Sequence, residues 1–175
     1  MNAILENILN RRSVRLFIKG KKVPKEELEN IVTAGMFAPT ALNLQPVLFT
    51  VVTNTEKIQK LAKAIAKAMD RGENYDFYAP EAIIITSCDR TARFIKEDTS
   101  CALENMFLYA HSVGIGSVWI NQPVVCCDDQ GVREVLNEFN IPESHVLGGM
   151  MALGYPATQN EKDLTRKCKA NYILD

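Results

Sequence analysis

The spacing of apolar residues along the chain predicts alternating helices and strands. Ile4, Leu5, Ile8 and Leu9 recur at helical spacing, and longer stretches repeat that period. The predicted helices cover 3–10, 24–38, 56–69, 98–113 and 128–140. The predicted strands cover 47–53, 82–88, 116–120 and 145–156, with a loop at 71–81. In the second helix the expected buried residues are Leu28, Ile31, Val32, Gly35 and Met36.

Two of these segments indicate what surrounds them. Residues 82–88 are apolar without alternation, which is typical of a strand covered on both faces. Helix 98–113 is apolar on most sides, so we expect it at the centre or at a subunit interface. Helices and strands that alternate around a buried sheet indicate a layered α/β or α+β domain. The 175 residues show no repeat and no boundary, so we expect a single domain over 1–175.

Composition and charge exclude several classes of protein. The formal net charge is −1, whereas general nucleic-acid binders carry a broad basic excess. No C-x-x-C pair occurs, and neither histidine lies at metal-ligand spacing from a cysteine, so we expect no metal site. The odd number of cysteines favours reduced thiols. The start of the chain lacks a secretory pattern and the apolar runs are short, which predicts a cytoplasmic protein.

A cationic cluster follows the first helix and consists of Arg11, Arg12, Ser13 and Arg15. Guanidinium groups bind phosphate oxygens bidentately, and a serine hydroxyl adds a donor. A phosphate monoester carries roughly −1.5 to −2 charges at neutral pH, so a few converging cations suit it. The alternative is a solvated helix end, where cations are favourable near the negative end of the helix dipole. The cluster by itself favours this alternative.

The segment 38–46 contains two amides, Asn43 and Gln45, between Pro39 and Pro46. The prolines restrict the backbone, so both amides can be held in place. Each amide offers a donor and an acceptor, which is the pattern needed to read the edge of a heterocycle. The alternative is a turn whose polar side chains satisfy their own backbone.

The stretch 114–123 contains two glycines but no dinucleotide fingerprint. The G-x-G-x-x-G motif would need a glycine where Trp119 stands. The stretch also lies between a helix and a strand, which reverses the required order. What remains is a tight glycine turn that leads into a strand, with Asn121 and Gln122 after it.

No side chain is an evident acid, base or nucleophile. The serines lack a G-x-S-x-G context. His111 is better explained as a core or interface histidine, Asp128 and Asp129 as the start of a helix, and Cys126 and Cys127 as small apolar residues. A phosphate-sized cationic cluster and an amide pair, without self-sufficient catalytic groups, favour an organic cofactor that brings its own chemistry.

Four stretches in this order closely resemble the nitroreductase family of flavin mononucleotide (FMN) enzymes. They are RRSVRLF, APTALNLQP, EDTSCALENMFLYAHSVGIGSVWI and GYP, between about residues 8 and 156. The ordered set is specific, whereas R-x-S-x-R alone would be weak. The resemblance implies an α+β three-layer sandwich with a central, mainly antiparallel sheet between helices. It also implies an obligate homodimer with two FMN sites at the interface.

The resemblance also implies roles for individual residues, and it reverses the preference for a solvated helix end. The R-x-S-x-R element would hold the FMN phosphate and ribityl region through Arg11, Arg12, Ser13 and Arg15. A segment of the partner subunit would pack on the flavin with Pro39, Thr40 and Ala41. The amides that would reach the ribityl chain and the ring are Asn43 and Gln45.

Two further groups complete the implied site. The end of the third strand would lie along the isoalloxazine with Trp119, Ile120, Asn121 and Gln122. Backbone N–H groups of Asn121 and Gln122 would face flavin N5, although many relatives carry a glycine there. A cationic pair near the C-terminus would complete the phosphate site, and Arg166 and Lys167 are chosen for it among Lys162, Arg166, Lys167 and Lys169.

The implied activity is that of an FMN-dependent oxidoreductase. Hydride would pass from NADH or NADPH, through flavin N5, to an electron-poor acceptor such as a nitroaromatic or a quinone. The alternatives are a protein that stores or delivers FMN without turnover, and a flavin enzyme of the same fold with other chemistry, such as reductive dehalogenation or flavin cleavage. A plain interaction domain would leave the cationic cluster unexplained. The short 70–80 region predicts an open site without a lid.

Overall fold

The computed structural model describes residues 2–158 and 166–173. The helices of this part are α1 Ala3–Asn10, α2 Lys25–Met36, α3 Thr55–Ala68, α4 Ile95–Ser112, α5 Gln122–Val125 and α6 Gln130–Glu138. The strands are β1 Leu48–Val52, β2 Ala82–Asp89, β3 Gly116–Ile120 and β4 His145–Gly154. A short 3-10 turn covers Ala41–Asn43.

The four strands form one antiparallel sheet in the order β1-β2-β4-β3. β2 and β4 occupy its centre, where Ile84 pairs with Met151 and both side chains are fully buried. β2 is buried along its apolar length, as the absence of alternation predicted. The register shifts between Thr86 and Ser87, which marks a bulge in β2.

Helices cover both faces of the sheet, so the domain has three layers. On one face, Ile83 and Ile85 lie in a core cluster with side chains of α3 and α6. On the other face, Ile84 lies in a second cluster with side chains of α2 and α4. This arrangement confirms the predicted α+β sandwich and the central position of the fourth helix.

Local side chains explain where two of the helices begin. Asn54 precedes α3 and its side-chain oxygen accepts a hydrogen bond from the Lys57 N–H at 2.9 Å. Asp129 does the same for α6 by accepting from the Val132 N–H at 3.2 Å. Such caps satisfy N–H groups that have no partner within the helix. The prediction that Asp129 starts a helix is therefore confirmed.

The structure corrects the predicted elements in two places. Met36 was expected in the buried stripe of α2, but it is 62% exposed because α2 ends at this residue, and its neighbour Phe37 is also exposed. No element was predicted for the stretch after β3, yet it forms α5, with Pro123 in the first turn. Proline is favourable there because its missing N–H would have no intrahelical partner.

Helix α1 has the predicted bounds, but its apolar face is not covered by this chain. Ile4 is 71% exposed, and Leu5, Ile8 and Leu9 are exposed as well. Periodicity reports that a helix has an apolar face and says nothing about what covers that face. Four large apolar side chains side by side form a patch of the kind that marks an interaction surface.

The segment after α1 adds an edge to the sheet. Ser13 forms a parallel bridge with Ser117 of β3, and the Val14 N–H donates to the Ser117 carbonyl at 2.9 Å. Further on, Phe17 bridges Pro156 beyond the end of β4. A β-carbon on Gly116 would lie 2.9 Å from the Val14 side chain, so the absence of a side chain there permits this close approach.

Two absences concern only the part of the chain that the structure describes. None of its helices is both long and apolar enough to cross a membrane. Residues 2–158 and 166–173 also contain no group of three or more histidine, cysteine, aspartate or glutamate side chains that could hold a metal ion.

Candidate functional site

The cationic cluster lies on an extended segment beside β3. The bridge between Ser13 and Ser117 fixes the middle of this segment, and Arg11 and Arg15 on either side of it contact aromatic rings of different elements. The Cζ atom of Arg11 lies 6.0 Å from the centre of the Phe107 ring on α4. Its Nε atom lies 3.9 Å from a carboxylate oxygen of the exposed Glu104. Arg11 therefore keeps most of its hydrogen-bonding capacity for another partner.

Arg12 bonds to backbone carbonyls close to it in the chain. Its Nη1 atom donates to the carbonyl oxygens of Leu9 at 2.6 Å and of Arg11 at 2.9 Å. The Nε atom of Arg12 is buried and has no hydrogen-bond partner among the described residues. Arg12 lines a cavity of about 290 Å³ together with His111. Arg12 therefore brings an unsatisfied donor as well as its charge to the edge of this cavity.

The environment of His111 follows from this arrangement. Burial lowers the pKa of His111, and the positive charges of Arg11 and Arg12 lower it further. The imidazole therefore favours its neutral form. This half-buried position near two arginines agrees with a structural histidine better than with a metal ligand.

The amide segment forms a tight turn fixed to α4. The buried carboxylate of Asp98 accepts a hydrogen bond from the Ala41 N–H at 2.9 Å, and Asp98 is only 4% exposed. The Thr40 hydroxyl accepts from the Gln45 N–H at 3.1 Å. Asn43 and Gln45 have left-handed backbone angles, which cost roughly 1–2 kcal/mol per residue outside glycine. The surrounding bonds hold this strained turn in place.

The two amide side chains bond to each other, whereas the alternative interpretation had expected them to satisfy their own backbone. The Gln45 Nε2 group donates to the Asn43 Oδ1 atom at 2.9 Å. Both side chains are exposed, so the remaining amide donor of Asn43 and the remaining acceptor of Gln45 stay accessible. The pairing orients both amides without consuming them. Pro39 and the exposed Leu42 complete the surface of this turn.

The end of β3 forms a wall next to the arginine side chains. The Trp119 ring lies 6.1 Å from the Phe107 ring, and its Nε1 atom is 3.4 Å from the Asn121 Oδ1 atom. Arg11, Phe107, Trp119 and Asn121 therefore form a continuous series of contacts. The Ile120 side chain is buried on the opposite face of the sheet, so only its backbone faces this wall.

The strand ends at Ile120 and α5 begins at Gln122. The predicted strand 116–120 is therefore confirmed, and Asn121 and Gln122, which were expected along the ring at the strand end, lie at the turn into α5. Pro123 favours the start of a helix, and the Asn121 carbonyl accepts from the Val124 N–H at 3.0 Å. Asn121 is exposed and Gln122 is half-buried.

One part of this surface was missed by the sequence analysis. The loop 71–81 brings the half-exposed ring of Tyr78 to Arg15, with 5.9 Å between the Arg15 Cζ atom and the ring centre. Phe77, Tyr78 and Ala79 all have left-handed backbone angles. The only signal in the sequence was the aromatic run in NYDFY, which carries no information about a contact with Arg15.

The cysteines are free thiols, and two of them, Cys88 and Cys126, are poorly suited to chemistry as thiolates. Burial is the main cause that raises the pKa of Cys126, and burial raises the pKa of Cys88 to about 11. The Sγ atom of Cys126 also donates to the Gln122 carbonyl at 3.2 Å. A thiol is nucleophilic only as its thiolate, so these positions disfavour a catalytic role.

The predicted C-terminal cations lie in an irregular segment, 166–173. Arg166 and Lys167 are exposed, and no hydrogen bond or ion pair joins them to the rest of the described chain. Lys162, another of the four candidate cations, lies outside the described residues. The role of Arg166 and Lys167 stays a prediction.

Comparison with known proteins now identifies the family. The sequence model of the nitroreductase family matches residues 8–155. A relative from Methanothermobacter thermautotrophicus, provisionally named NADH dehydrogenase/NAD(P)H nitroreductase, is 34% identical over 158 residues, which cover 88% of this chain and 78% of the relative. The chain therefore belongs to the nitroreductase family.

Solved structures agree with this assignment. A nitroreductase from Bacteroides fragilis, crystallised with bound FMN, superimposes with a TM-score of 0.91 at 34% identity, and the match covers 100% of both chains. An FMN-dependent nitroreductase from Clostridium difficile gives a TM-score of 0.75 at 26% identity over 97% of this chain and 99% of the other. The nitroreductase fold expected from the sequence is thereby confirmed.

Proposed function

We propose that this protein is an FMN-dependent oxidoreductase that transfers hydride from NADH or NADPH to an electron-poor acceptor, such as a nitroaromatic or a quinone. The observation that carries the proposal is the Arg11 guanidinium beside the ring of Phe107, which lies next to the Trp119 ring, in a segment that Ser13 joins to the same strand as Trp119. Cations with free donors beside an apolar wall match a cofactor that joins a phosphate to a planar ring system.

The residues present fit FMN on physical grounds. Arg15 has no carboxylate within ion-pair distance among the described residues, and Arg11 has only the 3.9 Å contact with Glu104. The buried Arg12 Nε atom lacks a partner, so the segment offers an unsatisfied donor as well as charge. An anion that accepts from these groups would gain charge-assisted hydrogen bonds. Family members crystallised with FMN support this assignment.

Each part of the site has a defined task in this proposal. Arg11, Arg12, Ser13 and Arg15 hold the phosphate and the ribityl region. The oriented amides of Asn43 and Gln45 bind the ribityl chain and the ring edge, and Pro39, Thr40 and Ala41 shape the turn that carries them. Trp119, Ile120, Asn121 and Gln122 form the wall beside the ring. Arg166 and Lys167 add positive charge near the phosphate.

The bound flavin supplies the hydride chemistry, so the protein needs no strong acid or base of its own. The chain contributes binding, orientation and charge. Positive side chains near the flavin ring would favour its negatively charged reduced form over the neutral oxidised ring. The reacting partners enter from the open side, because the described loop 71–81 is short.

The site includes two copies of the chain in this proposal. The amide turn is fixed to the first turn of α4 through Asp98, whereas Arg11 contacts the middle of α4 at Phe107. The turn also exposes Leu42, and α1 exposes an apolar face. Burying these side chains against a second copy would gain about 25 cal/mol for each Å² of apolar surface removed from water. A homodimer would let the turn of one copy reach the arginines of the other.

An anaerobic visible spectrum tests the activity. The purified protein, supplied with FMN, should show flavin absorbance that bleaches on addition of NADH or NADPH and returns with a nitroaromatic or a quinone. Flavin absorbance that neither donor bleaches would favour FMN storage. A folded protein that binds no FMN would refute the proposal.

A pair of variants tests the phosphate assignment. Arg11→Ala combined with Arg15→Ala should weaken FMN binding by a few kcal/mol, given roughly 1.5–3 kcal/mol for each charge-assisted hydrogen bond. Lys63→Ala is the matched control, since Lys63 is an exposed cation on α3, on the other face of the sheet. Unchanged FMN affinity in a folded double variant would contradict the assignment.

A further inference from the structure

The loop 71–81 presents an aromatic ring at considerable conformational cost. Phe77, Tyr78 and Ala79 adopt positive φ values of 58°, 70° and 47°. Residues other than glycine rarely adopt this conformation, and a run of three persists only where the surroundings determine it. Such strain is characteristic of sites where a side chain must be held in one place.

Two anchors hold the strained run. The Phe77 side chain is 1% exposed in the core, and its ring packs edge-on against Tyr75 with 5.2 Å between ring centres. Asp76 fixes the backbone: its carboxylate accepts from the Tyr78 N–H at 2.9 Å, and its carbonyl accepts from the Ala79 N–H at 3.0 Å. The loop is therefore a rigid support rather than a mobile cover.

The ring that this support displays does not serve the core. Tyr78 is 45% exposed, in contrast to its buried neighbour Phe77. Its contact is the guanidinium of Arg15, 5.9 Å from the ring centre and within the range of a cation–π interaction. Arg15 is itself exposed and has no carboxylate partner among the described residues. The Tyr78 ring is thus the feature that restricts where the Arg15 side chain can go.

We propose that Tyr78 is a positioning residue that holds the Arg15 guanidinium in the orientation in which it binds the cofactor. The inference rests on the proposed function, because that proposal makes FMN the ligand of Arg15. An unrestrained arginine side chain loses rotamer freedom when it binds, and a ring that restrains it beforehand reduces that cost. The phenol oxygen is not required, because the contact involves the ring face.

FMN titration of four variants tests this inference. Tyr78→Leu should raise the FMN dissociation constant about two- to five-fold, as expected for an exposed cation–π contact. Tyr78→Phe should leave the FMN dissociation constant at its wild-type value, since it keeps the ring. In an Arg15→Ala background, Tyr78→Leu should have no further effect, because its partner is gone. Phe94→Leu is the matched control, since Phe94 lies 5.1 Å from the Arg93 guanidinium in a similar pair.

The position of Arg15 can also be measured without FMN. In the flavin-free protein, the Nε–H proton of Arg15 should show a ring-current shift that Tyr78→Leu removes and Tyr78→Phe retains. The inference would be overturned if Tyr78→Leu changed the FMN dissociation constant equally with and without Arg15. It would also be overturned if the Arg15 Nε–H shift were the same with and without the Tyr78 ring. A wild-type protein that does not bind FMN would refute the proposed function, and the Arg15 signal would still decide whether Tyr78 restrains this side chain.

Discussion

Gly116 is where the arginine segment lies closest to the sheet, so Gly116→Ala should disturb the candidate site directly. The new β-carbon would lie 2.9 Å from Cγ1 of Val14 and 3.0 Å from its Cβ and Cγ2 atoms. Valine is branched at Cβ and has little freedom about χ1, so its side chain cannot swing aside. The segment from Arg11 to Arg15 must therefore move away from β3.

The expected loss of stability follows from three terms. Overpacking costs typically 1–3 kcal/mol. Loss of the hydrogen bond from Val14 N–H to the Ser117 carbonyl costs about 1 kcal/mol more. Alanine in place of glycine lowers the conformational entropy of the unfolded chain, which offsets about 0.4–1 kcal/mol of this loss. The net loss in the free energy of unfolding is about 1–3 kcal/mol.

FMN binding should weaken as well, because Arg11, Ser13 and Arg15 move together with the segment. Loss of a single charge-assisted hydrogen bond, about 1.5–3 kcal/mol, corresponds to at least a ten-fold rise in the dissociation constant. Urea unfolding and FMN titration measure the two effects separately.

A control and a rescue variant make this prediction specific. Gly72→Ala should leave both quantities near the wild-type values, since a β-carbon there meets no atom within 4 Å. Adding Val14→Ala to Gly116→Ala should recover part of both losses, because it removes the clashing methyl groups. A Gly116→Ala protein with wild-type stability and FMN affinity would refute the reasoning.

Three further predictions follow from the structure. Asp98→Ala should cost about 1.5–3 kcal/mol in urea unfolding by removing the acceptor of the Ala41 N–H, and Asp98→Asn should cost less; equal losses would contradict this. Ile8→Glu should shift the size-exclusion profile from dimer to monomer, and an unchanged profile would exclude α1 from the interface. Arg12→Ala should raise the pKa of His111 in an NMR titration. Burial and the arginine charges depress this pKa, so the unfolded chain protonates His111 more readily than the folded protein does. The free energy of unfolding should therefore fall as the pH drops below about 6.5.

The sequence by itself determined most of the elements. Helix α1 and strand β3 have the predicted bounds, and the other strands differ by a few residues at their ends. This succeeds because the period of the apolar residues, 3.6 or 2, is a local property of the chain. The failure at Met36 and the missed helix α5 have the same origin, since helix ends depend on neighbours that periodicity does not report.

The sequence also predicted the segments of the candidate site, but only the tertiary structure decided how these segments are arranged. The pairing of Ser13 with Ser117 sets the segment beside β3, where Arg11 contacts Phe107 and Arg15 contacts Tyr78, whereas the chain alone presents the arginines as one cluster. The contact between Arg15 and Tyr78 joins residues far apart in the chain. No local pattern encodes such a pair, because it results from the sheet order and from a strained loop that the core holds in place.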